Sequence, residues 1–282
     1  MKIPPSPEEK PAPAAGTVRT DHDRSFLIFA GVALMCIALG FKSELLTEGQ
    51  VWALALGLVV VAAPALLGYL RGTDEFPRIE HYIPVVLGAI ALAGLAGGHD
   101  SVGHPIIGQL WQYGLITAVF AGGFALSARL DYLRLRDAEK RGHVVVQEAI
   151  LILVLAGAYW VVVTIPFNPI LKLLWIFTIT FLASYRGFRI NGTAIAPRRA
   201  FIFAFFVGQV VTFLFWAIEA LSIYLIIGEG TKAVMLLFAW YINRGLVRHT
   251  VEDSFTRNVV LEYGAFAVVL VYLFVSSYQP GR

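Results

Sequence analysis

Nine apolar stretches, each long enough to cross hydrocarbon, follow one another along this chain. They are Ser25–Phe41, Val51–Leu70, His81–Gly98, Pro105–Ser127, Val145–Pro166, Pro169–Tyr185, Ala200–Gly228, Thr231–Val247 and Val259–Tyr278. A helix needs roughly 20 mainly apolar residues, with a tolerance of about 17–25, to span a bilayer. Backbone groups find no water there, so each run must satisfy its own N–H and C=O groups as a helix. None shows the alternation of a barrel strand. The expected fold is all-α: a polytopic integral membrane helical bundle of nine transmembrane helices, or eight if the short eighth run is only interfacial.

Composition agrees. The chain is 58% hydrophobic and 15% charged, against about 45–50% and about 25% in ordinary globular domains. Its mean hydropathy is +0.72. The first 24 residues hold five of the thirteen prolines and few large apolar side chains. Such a segment buries too little surface to offset its ordering entropy, so 1–24 reads as a disordered Pro/Ala-rich cytoplasmic tail. Residues 25–282 read as one transmembrane domain, with the first run a retained anchor rather than a cleaved signal. The single cysteine, Cys36, excludes an internal disulfide and a CxxC pair.

Basic residues set the expected threading. In the ten gaps around the nine runs, alternate gaps hold 18 and 4 of the 22 Lys and Arg. The positive-inside rule places the rich side in the cytoplasm, which gives an inner N-terminus and an outer C-terminus. Trp52, Trp111, Trp160 and Trp175 then fall toward the outer interface, and Tyr69, Tyr82, Tyr185, Trp240 and Tyr263 toward the inner one. A bacterial plasma membrane is the expected host. The net charge of +3 is spread over short gaps, so nucleic acid is not an expected partner. Membrane lipids are, together with membrane-protein partners or further copies of the chain.

Local signals refine the runs. Pro105 and Pro169 suit first helical positions, Asn168 suits a cap, and Pro64 should kink the second run. The seventh run, 29 residues, would extend about 43 Å and so tilt or protrude. Helices in lipid associate through close approach at small residues. Gly94, Gly98, Ala89, Ala93 and Gly97 in the third run, with Gly114, Ala118 and Gly122 in the fourth, should therefore pack runs one to four together.

Few polar side chains interrupt the runs. Gln209, Thr212, Trp216, Glu219 and Ser222 recur every three or four residues on one face of the seventh run. An ionisable group inside a span is costly and usually faces protein or water. Glu219 is thus a candidate proton or cation site, with Lys172 its expected partner and Asn168 beside it; a purely structural Glu219–Lys172 pair explains the pattern as well. His99, Asp100 and His104 could ligate a transition metal, although a polar turn accounts for them equally. Arg134, Arg136, Lys140, Arg141, Arg244 and Arg248 could contact lipid phosphate or simply anchor topology. Glu148 and Glu262, expected in first helical turns, suit the helix dipole, and so does Glu80 beside His81. The Asn191–Thr193 sequon is expected on the cytoplasmic side.

No P-loop, Rossmann glycine pattern, HExxH or GxSxG occurs, so no cofactor is expected. Three functions fit: a non-catalytic scaffold, assembly factor or complex subunit; a secondary transporter or permease using the Glu219 stripe; and a membrane enzyme acting on lipid through His99, Asp100, His104 and Glu219. The first agrees best with the scarcity of intramembrane charge.

Overall fold

The computed structural model describes residues 79–97, eleven helical positions within 111–131, and 141–276 apart from 167, 191–194 and 222–226, together with Ala53. The N-terminal tail, most of the first two runs with Cys36 and Pro64, the His99–His104 turn, Arg134, Arg136, Lys140, the Asn191–Thr193 sequon and Ser222 lie outside the described residues. All regular structure among the described residues is helical. The elements are α1 (Ile79–Gly97), α2 (Arg141–Thr164), α3 (Pro169–Ile190), α4 (Pro197–Leu221), α5 (Glu229–Val251) and α6 (Arg257–Ser276).

Four of these, α2, α3, α4 and α6, are long and apolar enough to cross a membrane. α5 has 23 residues, about 34 Å of helix, and extends past the eighth apolar run at both ends; it is not among the four. Its charges, Glu229 and Lys232 at one end and Arg244 and Arg248 at the other, dilute its apolar character. α5 packs against α2, α4 and α6, while α1 packs against α2 and α3. α4 is described over 25 residues, from Pro197 to Leu221; the rest of the seventh run up to residue 226 lies outside the described residues.

Charges and caps sort the helix ends. Glu80, Asp131, Gln147, Arg186 and Arg244 gather at one end of the bundle, called here the arginine end. Lys172, Glu219 and Lys232 lie at the other, the Lys172 end. Asn168 caps α3 as its composition suggests: its Oδ1 accepts the Ile170 N–H at 3.0 Å.

The core is apolar and continuous across five helices, with Leu87, Leu155, Ile176, Ile179 and Phe215 almost fully buried. One polar contact crosses its centre. Thr180 donates its hydroxyl to the Ile176 carbonyl at 2.6 Å, so the Tyr159 hydroxyl is the donor to Thr180 at 2.7 Å. α3 and α4 pack through edge-to-face aromatic pairs, Phe177–Phe205 and Phe181–Phe201, where ring edges meet ring faces. Gly208 lets that approach happen; a Cβ there would lie 3.0 Å from Phe177 Cε2.

Two expectations change. Trp240 is fully buried and donates its indole N–H to Ser184 Oγ at 3.0 Å, so it belongs to the core and not to an interfacial belt. Glu148 and Glu262 stand beyond the first turns of α2 and α6, whose acidic first-turn residues are none; ion pairing and a Tyr241 hydroxyl, not a helix dipole, hold them. Gly94 gives close approach to α2 at Val161; Gly98, Gly114 and Ala118, with most of runs one and two, lie outside the described residues.

A side chain at Gly94 would collide with Val161, whereas one at Gly264 would meet nothing. Gly94→Leu should therefore cost about 1–3 kcal/mol by overpacking, and Gly264→Ala should be neutral or gain up to about 1 kcal/mol. Thermal unfolding in mild detergent checks this; equal melting of the two variants would refute the α1–α2 contact.

Candidate functional site

The stripe on α4 lines a groove. Gln209, Thr212 and Trp216, with Phe205 and Phe213 from the same helix and Leu173 and Phe177 from α3, border an open, shallow groove of about 540 Å³. Leu173 and Trp216 also line a smaller cavity of about 100 Å³ whose other walls are Pro169, Lys172, Phe215 and Glu219. The two spaces are thus continuous in lining, apolar and aromatic along most of their length and charged at the Lys172 end. Along α4 the stretch from Phe205 to Trp216 rises about 16 Å. Thr212 Oγ1 is buried and has no hydrogen-bond partner among the described residues.

At the charged end the structure brings Glu219 and Lys172 to one cavity, as the sequence suggests, but the close ion pair is different. Glu219 Oε1 accepts from Lys232 Nζ at 2.6 Å, a residue that the sequence pattern does not single out. Lys172 Nζ donates to the Val163 carbonyl at 2.8 Å, at the end of α2, and lies within electrostatic reach of Glu219, Lys232 and Glu229. Pro169 and Asn168 start α3 where they do, and that start places Lys172 one turn into the helix.

A second cluster, at the arginine end, was not legible as a site. Asp131 is 2% exposed and receives Gln147 Nε2 at 2.5 Å, His81 Nδ1 at 3.1 Å and Arg186 Nη2 at 3.3 Å. A carboxylate only accepts, so His81 carries its proton on Nδ1. Arg186 also donates to Ser127 Oγ and to the Glu80 carbonyl. Arg189 pairs with the Glu80 carboxylate at 3.1 Å and donates to the Ile195 carbonyl. Beside this, Glu148 holds Arg244 at 2.8 Å and Arg248 at 3.6 Å. Arg244 lies over the Trp240 ring, 5.2 Å from its centroid, in space that only a glycine at 187 leaves open. The signal that could have found this cluster is the lack of any proline or polar turn cluster between Tyr185 and Ile190, where the lone Gly187 does not break the helix. Helix continuing through Arg186 and Arg189 puts both on the inward face of α3.

The headgroup candidates therefore divide. Arg244 is buried and taken up by the protein, Arg248 is partly exposed and shared between Glu148 and Glu252, and Arg141 begins α2. Among the described residues no group of three His, Cys, Asp or Glu could hold a metal; His99, Asp100 and His104 lie outside them. A further groove of about 520 Å³, between α2, α5 and helical positions 115 and 119, has no charged side chain in its lining.

The all-helical architecture, with four helices long and apolar enough for hydrocarbon, is that of a helical membrane protein. Comparison with protein-family models, with curated proteins and with solved structures finds no match.

Asp131 lies past the apolar run that ends at Ser127. Burial alone would raise its carboxyl, but Arg186 and His81 outweigh burial and hold it below the ordinary aspartate value. A group depressed in this way contributes stability that is present above its unfolded value and is lost as pH falls through the folded one. Arg186→Gln strips the largest opposing charge and leaves Asp131 buried. It should cost about 3–5 kcal/mol and move the acid-unfolding midpoint to higher pH. Asp131→Asn in the same chain should restore part of the loss. An unshifted acid midpoint in Arg186→Gln would show that the pair does not hold the bundle.

Proposed function

We propose that this chain is a non-catalytic plasma-membrane protein of nine spans that holds a single-leaflet amphiphile in the α3–α4 groove, polar end toward Lys172 and Glu219. On the threading set by its Lys and Arg residues, with the N-terminus in the cytoplasm, the Lys172 end belongs to the outer leaflet. The observation that carries the reading is the continuity between an aromatic groove about 16 Å long and a charged cavity that share Leu173 and Trp216. One leaflet of hydrocarbon is about 15 Å deep, half of a core of about 30 Å. A partner helix would have to match the full core, twice the groove's length, so a lipid-like molecule is the better fit.

Rigidity at the arginine end suits this role. Five elements are tied there by buried ion pairs and hydrogen bonds, which leaves the opposite end to carry ligand without loosening the bundle. A scaffold or complex subunit could carry such a lipid as a structural component.

Gln209 is exposed on the groove wall, so Gln209→Trp should fill the groove without disturbing the core. In mild detergent, the wild-type chain should show a saturable rise in melting temperature with short-chain phospholipid, as expected when a ligand binds only the folded state. Gln209→Trp should lose that rise. An equal rise in both proteins would place the binding elsewhere.

The charged cavity itself favours a second reading, a permease in which Glu219 carries a proton or cation. In reconstituted vesicles Glu219→Gln would then abolish flux while leaving expression intact. Unchanged flux would discard this reading and leave the lipid-holding one standing.

A further inference from the structure

We infer that the charged end of the groove is a headgroup site for a zwitterionic phospholipid bearing a phosphate and a primary ammonium. The inference rests on the groove reading above and adds the chemistry of the head. Among the described residues, four ionisable side chains act at this cavity: Lys172 and Lys232, Glu219 and Glu229. Their formal charges cancel. A net anion would be opposed by the two carboxylates and a net cation by the two ammonium groups, whereas a dipolar head can meet both signs.

The two signs also come from different helices. Lys172 lines the cavity from α3 and Glu219 from α4, so one small space offers both a positive and a negative group. A lysine ammonium has three donors, and the Lys172 ammonium gives one to the Val163 carbonyl; its other donors suit phosphate oxygens. Glu219 binds Lys232, yet its side chain is 38% exposed, and a carboxylate offers about four lone-pair sites. It can accept an N–H from a ligand beside the partners it already has. Trp216, 53% exposed, forms the wall beside it and adds an aromatic face to which a cation is attracted.

These features select a primary over a quaternary ammonium. Glu219 rewards a donor hydrogen, which a trimethylammonium lacks, and one tryptophan is not the aromatic cage that quaternary groups favour. The acyl chain would follow the Phe177, Phe205 and Phe213 walls, where only Gln209 and the buried Thr212 hydroxyl interrupt hydrocarbon contact.

The test compares dioctanoyl phospholipids with phosphoethanolamine, phosphocholine and phosphoglycerol heads, titrated into the purified full chain in mild detergent and read by melting temperature and native mass spectrometry. Wild type should bind the phosphoethanolamine lipid about tenfold more tightly than the phosphoglycerol one, the effect of one charge-assisted hydrogen bond. Phosphocholine should fall between them. Glu219→Gln should bring phosphoethanolamine and phosphocholine to within about twofold of each other, the same bond being lost. Lys172→Gln should weaken all three lipids alike, and Lys172→Arg should retain binding. Because Glu219 and Lys172 both border a cavity, melting of each unliganded variant verifies its fold. Equal binding of the three heads, or preference for phosphoglycerol, overturns the headgroup assignment while the groove reading survives. Absence of saturable binding by any lipid, or undiminished binding in Gln209→Trp, removes the groove reading and this inference with it.

Discussion

The contact between Asp131 and Arg186 governs how the rest of the bundle can be arranged. Both side chains are almost completely buried, and an ion taken out of water costs several kcal/mol unless partners replace the lost solvation. Here the replacement is drawn from α1, α2, α3 and the helical positions up to Asp131. His81 and Gln147 complete the carboxylate, while Ser127 and the Glu80 carbonyl complete the guanidinium. Shifting any one helix by a turn would strand a charge. The pair need not add net stability; its effect is to exclude other registers, a restriction that apolar packing in lipid does not supply by itself.

From that anchor the polar groups divide by helix end. α3 carries Arg186 toward one end and Lys172 toward the other, and α5 carries Arg244 and Lys232 in the same opposition. Between them the bundle is held by apolar contact, the Tyr159–Thr180 hydrogen bond and the aromatic pairs of α3 with α4. At the arginine end the helices meet through charges that face inward. At the Lys172 end a small cavity lies between α3 and α4. A fixed end and a cavitied end on the same helices are what a protein needs if it is to hold a ligand without losing its own packing.

The sequence announced some of this and concealed the rest, for identifiable reasons. The α4 stripe was visible because Gln209, Thr212, Trp216 and Glu219 interrupt an otherwise apolar run at helical spacing, and the structure places all four along the groove and its cavity. Lys232 was hidden because it sits just past a helix start, where a lysine ordinarily meets water. Arg186, Arg189 and Arg244 were hidden for a related reason. The rule that orients membrane proteins counts arginines near helix ends without asking which way they point. Trp240 misled likewise, since a tryptophan near a helix end suits an interface until a serine on α3 and an arginine one turn further along α5 claim it.

Composition and periodicity alone determined that this chain is helical and rich in segments suited to hydrocarbon. In that solvent the backbone has no other way to satisfy its hydrogen bonds. They also determined where most described helices begin and end, to within a few residues. Tertiary structure decided which charges are paired. Glu219 takes Lys232, Glu148 takes Arg244 and Arg248, and Asp131 takes Arg186. Each of these partnerships joins different helices. Partner choice between helices depends on rotation and register, and a one-dimensional pattern of apolar and charged residues leaves both open until the helices pack.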